Sequence, residues 1–446
     1  MPVYTCERCL QKFKQKGHLA NHMKRKNPCQ EVKSELKSMV ESAVESKMEN
    51  IIIDKKLKSN DASFQNVMDN METQNTTIKA DNEHEKYTFQ TMLTCIGNKR
   101  RLVKDIRIIV ENVGKRLDKE KLNIVDGFSG SSVVSRELCN ISDKLYINDM
   151  ELYSYLMAVC FLKTPDFESQ EKIRNHIDTM NEIGRNGPYI EGIISKNYAP
   201  KKTDDIQKGE RCFYTRENAL IIDTLRNYIE KHVEQELETY CLVPLLTRAS
   251  IHSNTAGVFK GFYKNNDVGK FGGKGENALE RITKPIVLDY PIWNNYDYKI
   301  NCFNKNIGNL IVELPDDIDI IYLDPPYNQH PYGSNYFMMN VIAKNVEPED
   351  ISKVSGIPKG WNRSEYNTRK SANKAMSQLI KDGLEKSKYI LLSYNDEGIV
   401  TKDDWNILFN GYTVEKKEIV YNTYKGSRNL KDRNNKVNEI MYLISK

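Results

Sequence analysis

The chain has 446 residues, which is enough for two or three domains and a substantial buried core. Lys and Arg number 66 against 61 Asp and Glu, and the resulting net charge of +5 excludes a uniformly polycationic coat protein. No stretch approaches the roughly 20 apolar residues that a transmembrane helix needs, and the N-terminus, MPVYTCERC, has no apolar signal core. Nine cysteines, an odd and mostly scattered set, argue against a disulfide framework, so we expect an intracellular protein that is not secreted.

Residues 1–30 form a short basic segment, with seven Lys and Arg residues against one Glu, and they carry a candidate zinc site. The spacing resembles the classical Cys-Cys-His-His finger family with a final Cys in place of the second His, and Phe13 and Leu19 occupy the two core positions of such a finger. Thiolates and imidazole suit tetrahedral Zn²⁺, whose binding can drive the folding of so short a segment. We therefore expect a small ββα zinc finger. Its predicted ligands are Cys6, Cys9, His22 and Cys29.

The same resemblance implies that Gln15, His18 and Asn21 would face the DNA major groove. His18 is also an alternative to Cys29 as the fourth zinc ligand. A single finger rarely specifies a DNA sequence alone, so we interpret the segment as a tether to DNA phosphates. A finger that binds another protein is the alternative.

Residues 31–86 are polar and are predicted to be a helical or flexible linker. Apolar residues recur every three or four positions between Glu31 and Asp54, which predicts an amphipathic tether helix. A short coiled-coil seam is the alternative for this stretch. The composition of residues 58–86 is typical of a flexible linker.

From about Tyr87 the pattern becomes that of an α/β domain. The run KLNIVDGFSGSSVVSREL predicts a strand, a tight turn and a helix, and KLYINDM predicts the next strand. Further strands are predicted at DDIDIIYLDPPY and KSKYILLSYND, and a closing hairpin at EIVYNTY and NEIMYLIS. Strands that alternate with helices indicate a mostly parallel sheet covered on both faces. The alternation fades between 151 and 299, which predicts an inserted region.

The strongest chemical signal is Asp324-Pro325-Pro326-Tyr327 at the end of an apolar strand. The prolines restrict the backbone, so we expect the Asp324 carboxylate and the Pro325 carbonyl to point into a cleft as two hydrogen-bond acceptors. Together they can accept both hydrogens of an exocyclic amino group, which leaves the nitrogen lone pair free to attack. Tyr327 offers a face on which a planar base can stack. A plain strand-end turn is the alternative for these four residues alone.

Three further motifs predict a cofactor site. Asp126-Gly127-Phe128-Ser129-Gly130 lies between a strand and a helix, where an open α/β sheet binds a cofactor at its carboxyl edge. Asp149 ends the next strand, which places it to hold ribose hydroxyls. Gly97-Asn98-Lys99 supplies a flexible turn with a cation before a helix. The chain has no G-x-G-x-x-G motif, so a pyrophosphate cofactor is not favoured.

Together these motifs resemble the Dam-type, alpha-order DNA adenine methyltransferases, over about 87–150 and 300–446. The resemblance implies a Rossmann-like, S-adenosylmethionine-dependent methyltransferase sheet over these two ranges, with a target-recognition insert over 151–299. It also implies that Asp324 and Tyr327 hold the target adenine. The residues implied to contact S-adenosylmethionine are Cys95, Gly97, Lys99, Asp126, Phe128, Gly130, Asp149 and Asp324.

The chain departs from the family pattern at three positions. Ser132 replaces the last Gly of the phenylalanine-glycine loop, and Cys95 stands where an aromatic residue is common. The residue that frames the adenine of the cofactor is expected near Phe303-Asn304, where Asn replaces the usual Asp.

Residues 251–285 interleave cations with aromatic residues and glycine. Cations neutralise phosphates, aromatic rings stack on bases, and Gly lets a backbone approach closely, so this region is expected to contact DNA. An ordinary solvated loop is the alternative. The aromatic residues are Phe259, Phe262, Tyr263 and Phe271, and the predicted DNA-contacting cations are Lys260, Lys264, Lys270 and Lys274.

The sequence thus predicts a sequence-specific methyltransferase that methylates the 6-amino group of adenine in double-stranded DNA, with S-adenosylmethionine as cofactor and Zn²⁺ as a structural ion. We expect it to be the modification part of a restriction–modification system, with a cognate endonuclease acting on the same site. An RNA or cytosine amino-group methyltransferase is one alternative, although Asp at the start of the Pro-Pro-Tyr loop favours adenine. A non-catalytic DNA-binding regulator on the same fold is the other.

Overall fold

The computed structural model describes residues 83–90, 93, 95, 97–273, 275–422 and 436–446, together with positions 4–5, 12–13, 20 and 22. The chain divides into two compact units, residues 1–82 and 83–446.

In the N-terminal unit, strands β1 (Tyr4–Thr5) and β2 (Lys12–Phe13) pair antiparallel, and His22 is buried. The predicted helix over 31–54 and most of the predicted linker lie outside the described residues. So do three of the predicted zinc ligands and the predicted groove-facing residues, namely Cys6, Cys9, Cys29, Gln15, His18 and Asn21.

A seven-stranded sheet forms the centre of unit 83–446, and its strand order is β10-β11-β9-β8-β3-β4-β7. Its strands are β3 (Leu122–Asp126), β4 (Ser142–Asn148), β7 (Lys299–Phe303), β8 (Ile318–Leu323), β9 (Ser387–Asn395), β10 (Thr413–Asn422) and β11 (Lys436–Ser445). Five strands run parallel, and β11 pairs antiparallel with both β9 and β10. The prediction of a mostly parallel α/β sheet is confirmed, whereas the edge strand β7 was not predicted.

Helices cover both faces of this sheet, which explains why every residue of β3 and β8 is buried. Ile124 of β3 faces α1 on one side, and its neighbour Val125 faces α12 on the other. The helices are α1 (Val103–Leu117), α2 (Val133–Leu138), α3 (Leu152–Leu162), α4 (Phe167–Asn186), α5 (Ile193–Asn197), α6 (Arg216–His232), α7 (Glu238–Ile251), α8 (Leu279–Thr283), α9 (Ile307–Ile311), α10 (Tyr332–Asn335), α11 (Phe337–Lys344), α12 (Arg369–Lys386) and α13 (Lys402–Leu408).

The regular secondary structure of residues 151–299 is mostly helical, and the short strands β5 (Lys264–Asn265) and β6 (Val268–Gly269) form a small hairpin there. Helix α3 packs on β4 and β7, so the first part of this region crosses over between two strands of the main sheet. Helices α4, α6 and α7 share one apolar core with α11. The region therefore packs continuously with the sheet-bearing part of the chain.

The segment before α1 is also ordered where it is described. Residues 83–89 are helical, although the sequence assigned 83–86 to the linker. The hydroxyl of Tyr87 donates to the carbonyl of Phe161, and Thr88 donates to the buried carboxylate of Glu137. These contacts attach the segment to α2 and α3. Among the described residues, no helix is both long and apolar enough to span a membrane.

Candidate active site

A deep cleft lies where the strand order of the sheet reverses. Strands β4 and β7 lie on one side of β3 in the sheet, whereas the later strands β8 and β9 lie on its other side. Such a reversal separates the loops at the carboxyl ends of β3 and β8, and ligands of open α/β sheets bind there. The cleft has a volume of about 980 Å³, including the part open to solvent.

All eight residues that the sequence predicts to contact the cofactor line this cleft. They are contributed by four separate parts of the chain: the turn before α1, the loop after β3, the end of β4 and the end of β8. The eight are Cys95, Gly97, Lys99, Asp126, Phe128, Gly130, Asp149 and Asp324.

Asp324 directly follows β8, and its Oδ1 lies 2.6 Å from the Nζ of Lys99. The same ammonium lies 3.2 Å from Oε1 of Glu439 and donates to the carbonyl of Gly97 at 3.3 Å. Burial alone would lower the pKa of Lys99, but the two carboxylates raise it well above its usual value. Lys99 is therefore a charged, fully engaged ammonium at the base of the cleft.

Burial raises the pKa of Asp324 to about 6, against the opposing effect of Lys99. Glu439 adds to the rise because two negative charges so close together repel each other. The carboxylate has one oxygen committed to Lys99, which leaves the other oxygen as a hydrogen-bond acceptor for a substrate.

The remaining residues of the Asp-Pro-Pro-Tyr motif support this carboxylate in different ways. Pro326 lines the cleft and Pro325 is buried. The ring of Tyr327 lies 5.9 Å from the ammonium of Lys99 and packs edge-on against Tyr394. Its carbonyl accepts the backbone N–H of Ile399 at 2.8 Å, so the loop is held from the β9 side.

Asp149 connects the ends of β3 and β4. Its Oδ2 accepts the backbone N–H of Gly130 at 2.8 Å, and its Oδ1 accepts that of Glu151 at 2.8 Å. The sequence places Asp149 to hold ribose hydroxyls, and a carboxylate oxygen keeps a second lone pair for such a contact. Burial raises the pKa of Asp149 to about 6.

Two more buried carboxyl groups line the cleft. Burial raises the pKa of Asp126 to about 7, although the Ser135 hydroxyl donates to its Oδ2 at 2.6 Å. Burial, together with the charge of Asp149, raises the pKa of Glu151 to about 7. Four carboxyl groups thus line a cleft whose described lining contains two ammonium groups, those of Lys99 and Lys305.

A family profile described as D12 class N6 adenine-specific DNA methyltransferase matches residues 96–405. The chain belongs to this family. The match spans the turn before α1, the carboxyl ends of β3, β4 and β8, and the Asp-Pro-Pro-Tyr motif. The prediction of an adenine-specific DNA methyltransferase is therefore confirmed, and membership in the family implies S-adenosylmethionine as the methyl donor.

Curated relatives agree with this membership. The chain is 28% identical to the type II methyltransferase M.CviAII of Paramecium bursaria Chlorella virus 1, over 74% of this chain and 91% of the relative. It is 26% identical to M.NlaIII of Neisseria lactamica, over 79% of this chain and 98% of the relative. The modification methylase StsI of Streptococcus sanguinis is 28% identical over 79% of this chain, which spans 51% of StsI.

The cleft of this D12-class enzyme fits S-adenosylmethionine in its chemistry. A sulfonium and an α-ammonium are cations, and a wall with four carboxyl groups attracts cations and repels phosphates. Phe128 and Ile307 supply apolar surface for a planar ring. Gly97 has φ +80°, and an added Cβ would lie 3.0 Å from the hydroxyl of Tyr332, so the turn requires glycine.

The residue that frames the adenine of the cofactor is predicted near Phe303-Asn304, at the carboxyl end of β7. Asn304 points its amide to the carbonyl of Asp149 and is exposed. The following residues Lys305, Asn306 and Ile307 line the cleft instead. The loop after β7 therefore contributes to the cleft next to the predicted position, and the residue that frames the adenine stays a prediction.

Three of the four predicted DNA-contacting cations are described, and they lie in or near the β5–β6 hairpin. The ammonium of Lys260 lies 3.2 Å from Nδ1 of His330, three residues after the Asp-Pro-Pro-Tyr motif. Lys264 is exposed, with its ammonium 4.9 Å from the centre of the Phe262 ring. The remaining two are Lys270, paired with Glu276 at 2.9 Å, and Lys274, which lies outside the described residues.

Two of the four aromatic residues expected to stack on bases are core residues. Phe259 and Phe271 are buried, and Phe259 packs against Phe213 and Phe337. Phe262 and Tyr263 are half-buried. The aromatic residues of this segment therefore serve in part to pack the core.

The sequence motifs missed several cleft residues. Glu151 follows Asp149 by two positions, and that proximity was the only signal for it. Residues of the loop before α12 also line the cleft, and they lie in a polar stretch without a recognisable pattern. These are Asn362, Ser364, Tyr366 and Asn367.

Proposed function

We propose that this chain is the sequence-specific modification methyltransferase of a restriction–modification system. Relatives named as type II methyltransferases or modification methylases support this role, since they align over most of the sheet-bearing unit. The observation that carries the chemistry is the Asp324 carboxylate, which is fixed by Lys99 at the carboxyl end of β8. A cognate endonuclease would act on the same DNA site.

In the proposed reaction, the two N–H groups of the adenine 6-amino group each donate a hydrogen bond. One goes to the Asp324 carboxylate and the other to the carbonyl of Pro325. Tyr327 provides the face against which the base stacks. The base must leave the duplex to reach them, at a cost of a few kcal/mol. S-adenosylmethionine supplies a methyl group on a cationic sulfur when bound. Holding the amino nitrogen in line with that methyl group is the main contribution of the protein.

No strong general base is required by this scheme, because the amino proton can leave after methyl transfer. Asp324 therefore acts as an oriented acceptor. The eight cleft residues already named would contact the cofactor, and Asp149 would hold its ribose hydroxyls.

We further propose that residues 87–150 and 300–446 form the catalytic domain and that 151–299 recognise the target sequence. The contact between Lys260 and His330 supports this division of roles, because it joins the insert to the loop that follows Asp-Pro-Pro-Tyr. The backbone N–H of Phe259 also donates to the carbonyl of Asn335 at 2.7 Å. Lys260, Lys264, Lys270 and Lys274 are the proposed phosphate contacts.

The N-terminal segment is proposed to be a zinc finger that tethers the enzyme to DNA. Support comes from the ligand spacing, from the antiparallel pairing of β1 with β2 and from the burial of His22. The proposed ligands are Cys6, Cys9, His22 and Cys29, with Gln15, His18 and Asn21 facing DNA. Full-length protein is expected to contain one zinc ion per chain by atomic absorption and to lose it in Cys6→Ser, while S-adenosylmethionine binding persists.

The function is tested by incubating the full chain with S-adenosylmethionine labelled on its methyl group and with duplex DNA, single-stranded DNA or RNA. Mass spectrometry of the nucleosides should show N6-methyladenine from duplex DNA. Mapping of protected restriction sites then gives the recognised sequence. N4-methylcytosine, or label in RNA only, would support the alternative substrates, and binding of DNA without label transfer would support a regulator.

A further inference from the structure

Glu439 is the least expected residue near the proposed reaction centre. It lies on β11, beyond the residues 96–405 that the family profile matches, and opposite Asn395 of β9. Its side chain is only 1% exposed, and its Oε1 lies 3.2 Å from the ammonium of Lys99. A carboxylate is costly to bury unless its charge is paired, so its position needs a physical explanation.

The ammonium of Lys99 has three acceptors for its three N–H donors. They are Oδ1 of Asp324 at 2.6 Å, Oε1 of Glu439 at 3.2 Å and the carbonyl of Gly97 at 3.3 Å. All donors of Lys99 are therefore used within the protein. Lys99 also lines the cleft, so its proposed cofactor contact would be made by atoms other than the ammonium hydrogens.

Ser393 holds Glu439 in turn. Its hydroxyl donates to Oε1 of Glu439 at 2.5 Å, from the strand that pairs with β11. A chain of direct contacts thus runs from β9 through β11 and the turn before α1 to the end of β8. Its members, in order, are Ser393, Glu439, Lys99 and Asp324. Ser393 and Glu439 are buried, and Asp324 borders the cleft.

The charge of Glu439 has a consequence for Asp324. The positive charge of Lys99 offsets part of the negative potential at Asp324. The negative charge of Glu439 acts in the opposite direction, so the free oxygen of Asp324 is a stronger hydrogen-bond acceptor than it would be beside Lys99 alone. The other ionisable groups that face Asp324 are Asp126, Tyr322, Tyr327 and Tyr332.

We propose that Glu439 is a positioning residue for methyl transfer. It holds the Lys99 ammonium in place and shares its charge, so that Asp324 stays oriented and remains a strong acceptor for the target amino group. The inference rests on the proposed function, because it assigns Asp324 to that amino group. It assigns a role in the reaction to the C-terminal hairpin.

Glu439→Gln tests the charge, since the amide oxygen can still accept from Lys99 and Ser393. We expect kcat to fall about tenfold to a hundredfold, the effect of losing one charge-assisted hydrogen bond. The affinity for S-adenosylmethionine should change less than about twofold, and the acid limb of the kcat profile should move to lower pH. The matched control is Glu418→Gln, an exposed residue of the same hairpin that pairs with Lys416.

Glu439→Asp separates charge from reach, because it keeps the charge but shortens the side chain by one methylene. Glu439→Asp should also lower kcat. The acid limb of its kcat profile against pH should stay in place, in contrast to the displacement expected for Glu439→Gln. A second readout does not need turnover. In ¹³C NMR, the carboxyl signal of Asp324, assigned by its loss in Asp324→Asn, should titrate at lower pH in Glu439→Gln than in the parent protein.

Wild-type kcat and an unchanged Asp324 titration in Glu439→Gln would overturn the inference. So would a fall in kcat that is explained by lost cofactor affinity or a lower Tm. If the parent protein methylates adenine in DNA and Glu439→Gln equals it, only this inference fails. If the parent methylates no DNA, the proposed function fails, and the NMR titration still decides whether Glu439 controls Asp324.

Discussion

Lys99 and Asp324 are separated by 225 positions in the sequence, and their side chains meet at 2.6 Å. The first belongs to the turn before α1 and the second to the end of the central strand β8. Their contact joins the Gly97-Asn98-Lys99 turn, which carries no signal alone, to the Asp-Pro-Pro-Tyr motif in one site. The contact uses Oδ1 of Asp324, a residue that lines the cleft, and leaves Oδ2 outside this ion pair.

Replacement of Asp324 by Asn is expected to lower kcat at least about a hundredfold, because an oriented acceptor at the reaction centre is lost. Asp324→Ala should abolish methylation, while cofactor binding partly survives. Label transfer to DNA and calorimetric titration with S-adenosylmethionine measure the two effects separately. Asp316→Asn is the control, since Asp316 is exposed and pairs with Lys386 at 2.7 Å. Turnover close to that of the parent protein in Asp324→Asn would refute the assignment.

Replacement of Lys99 by Met should destabilise the fold by about 3–5 kcal/mol at neutral pH, because Asp324 and Glu439 lose their shared cation. The loss should shrink as the pH falls, since the pKa of Asp324 is raised and its protonation relieves the repulsion. Urea unfolding followed by circular dichroism measures both. Lys104→Met is the control, because this side chain is 73% exposed. An equal loss at all pH values would contradict the shared-cation arrangement.

The affinity for S-adenosylmethionine is expected to fall as the pH drops below about 7. Burial raises the pKa values of Asp126 and Glu151 to about 7 and that of Asp149 to about 6. A cationic ligand favours the ionised forms, so protonation of these carboxyls weakens binding. S-adenosylhomocysteine, which lacks the sulfonium charge, should show a smaller pH dependence. Calorimetric titrations across this pH range measure the difference, and equal slopes would exclude the carboxyl groups as its cause.

The same three carboxyls predict how the ligand-free protein responds to pH. Their folded-state pKa values lie above those of an unfolded chain, so the folded state binds more protons between about pH 4 and pH 7. Their contribution to the free energy of unfolding therefore increases as the pH falls through this window. The increase in Tm on addition of S-adenosylmethionine should be larger above this window than within it. A ligand-induced Tm change that grows toward low pH would contradict this.

Gly97→Ala is expected to destabilise the fold by about 1–2 kcal/mol, because a side chain at positive φ is strained. The new methyl group would also lie 3.0 Å from the hydroxyl of Tyr332 and 3.3 Å from that of Tyr327. The affinity for S-adenosylmethionine should also fall, because the methyl group would displace the rings of Tyr332 and Tyr327. Gly360→Ala is the control, because an added Cβ there meets no atom within 4 Å. Equal Tm values for the two variants would show that the turn tolerates a side chain.

Lys260→Ala should weaken DNA binding about equally for all DNA sequences. The slope of log K against the logarithm of the salt concentration should become shallower by about 1, as expected for one lost phosphate contact. Fluorescence anisotropy with labelled duplexes at several salt concentrations measures this. Lys172→Ala, an exposed cation of α4, should change neither quantity. An unchanged salt slope in Lys260→Ala would remove this residue from the DNA contacts.

Local pattern explains which parts of the fold were predictable. The apolar runs of β3, β8 and β9 are buried, and the motifs at their carboxyl ends were recognised with them. Strand β7 was missed because it is a partly exposed edge strand of five residues. Phe259 and Phe271 were misread, because an aromatic residue that packs in a core and one that stacks on a base have the same local sequence signal.

The sequence by itself determined the class of the protein, since apolar periodicity and the Asp-Pro-Pro-Tyr motif are local properties that need no knowledge of the fold. Only the tertiary structure decided how the site is supported. Glu439 reaches Lys99 because β11 pairs with β9, and Tyr366 reaches Phe128 because a long polar loop returns to the cleft. The physical reason is that strand pairing and loop closure join residues far apart in sequence, and no local pattern records which distant charge a buried lysine will meet.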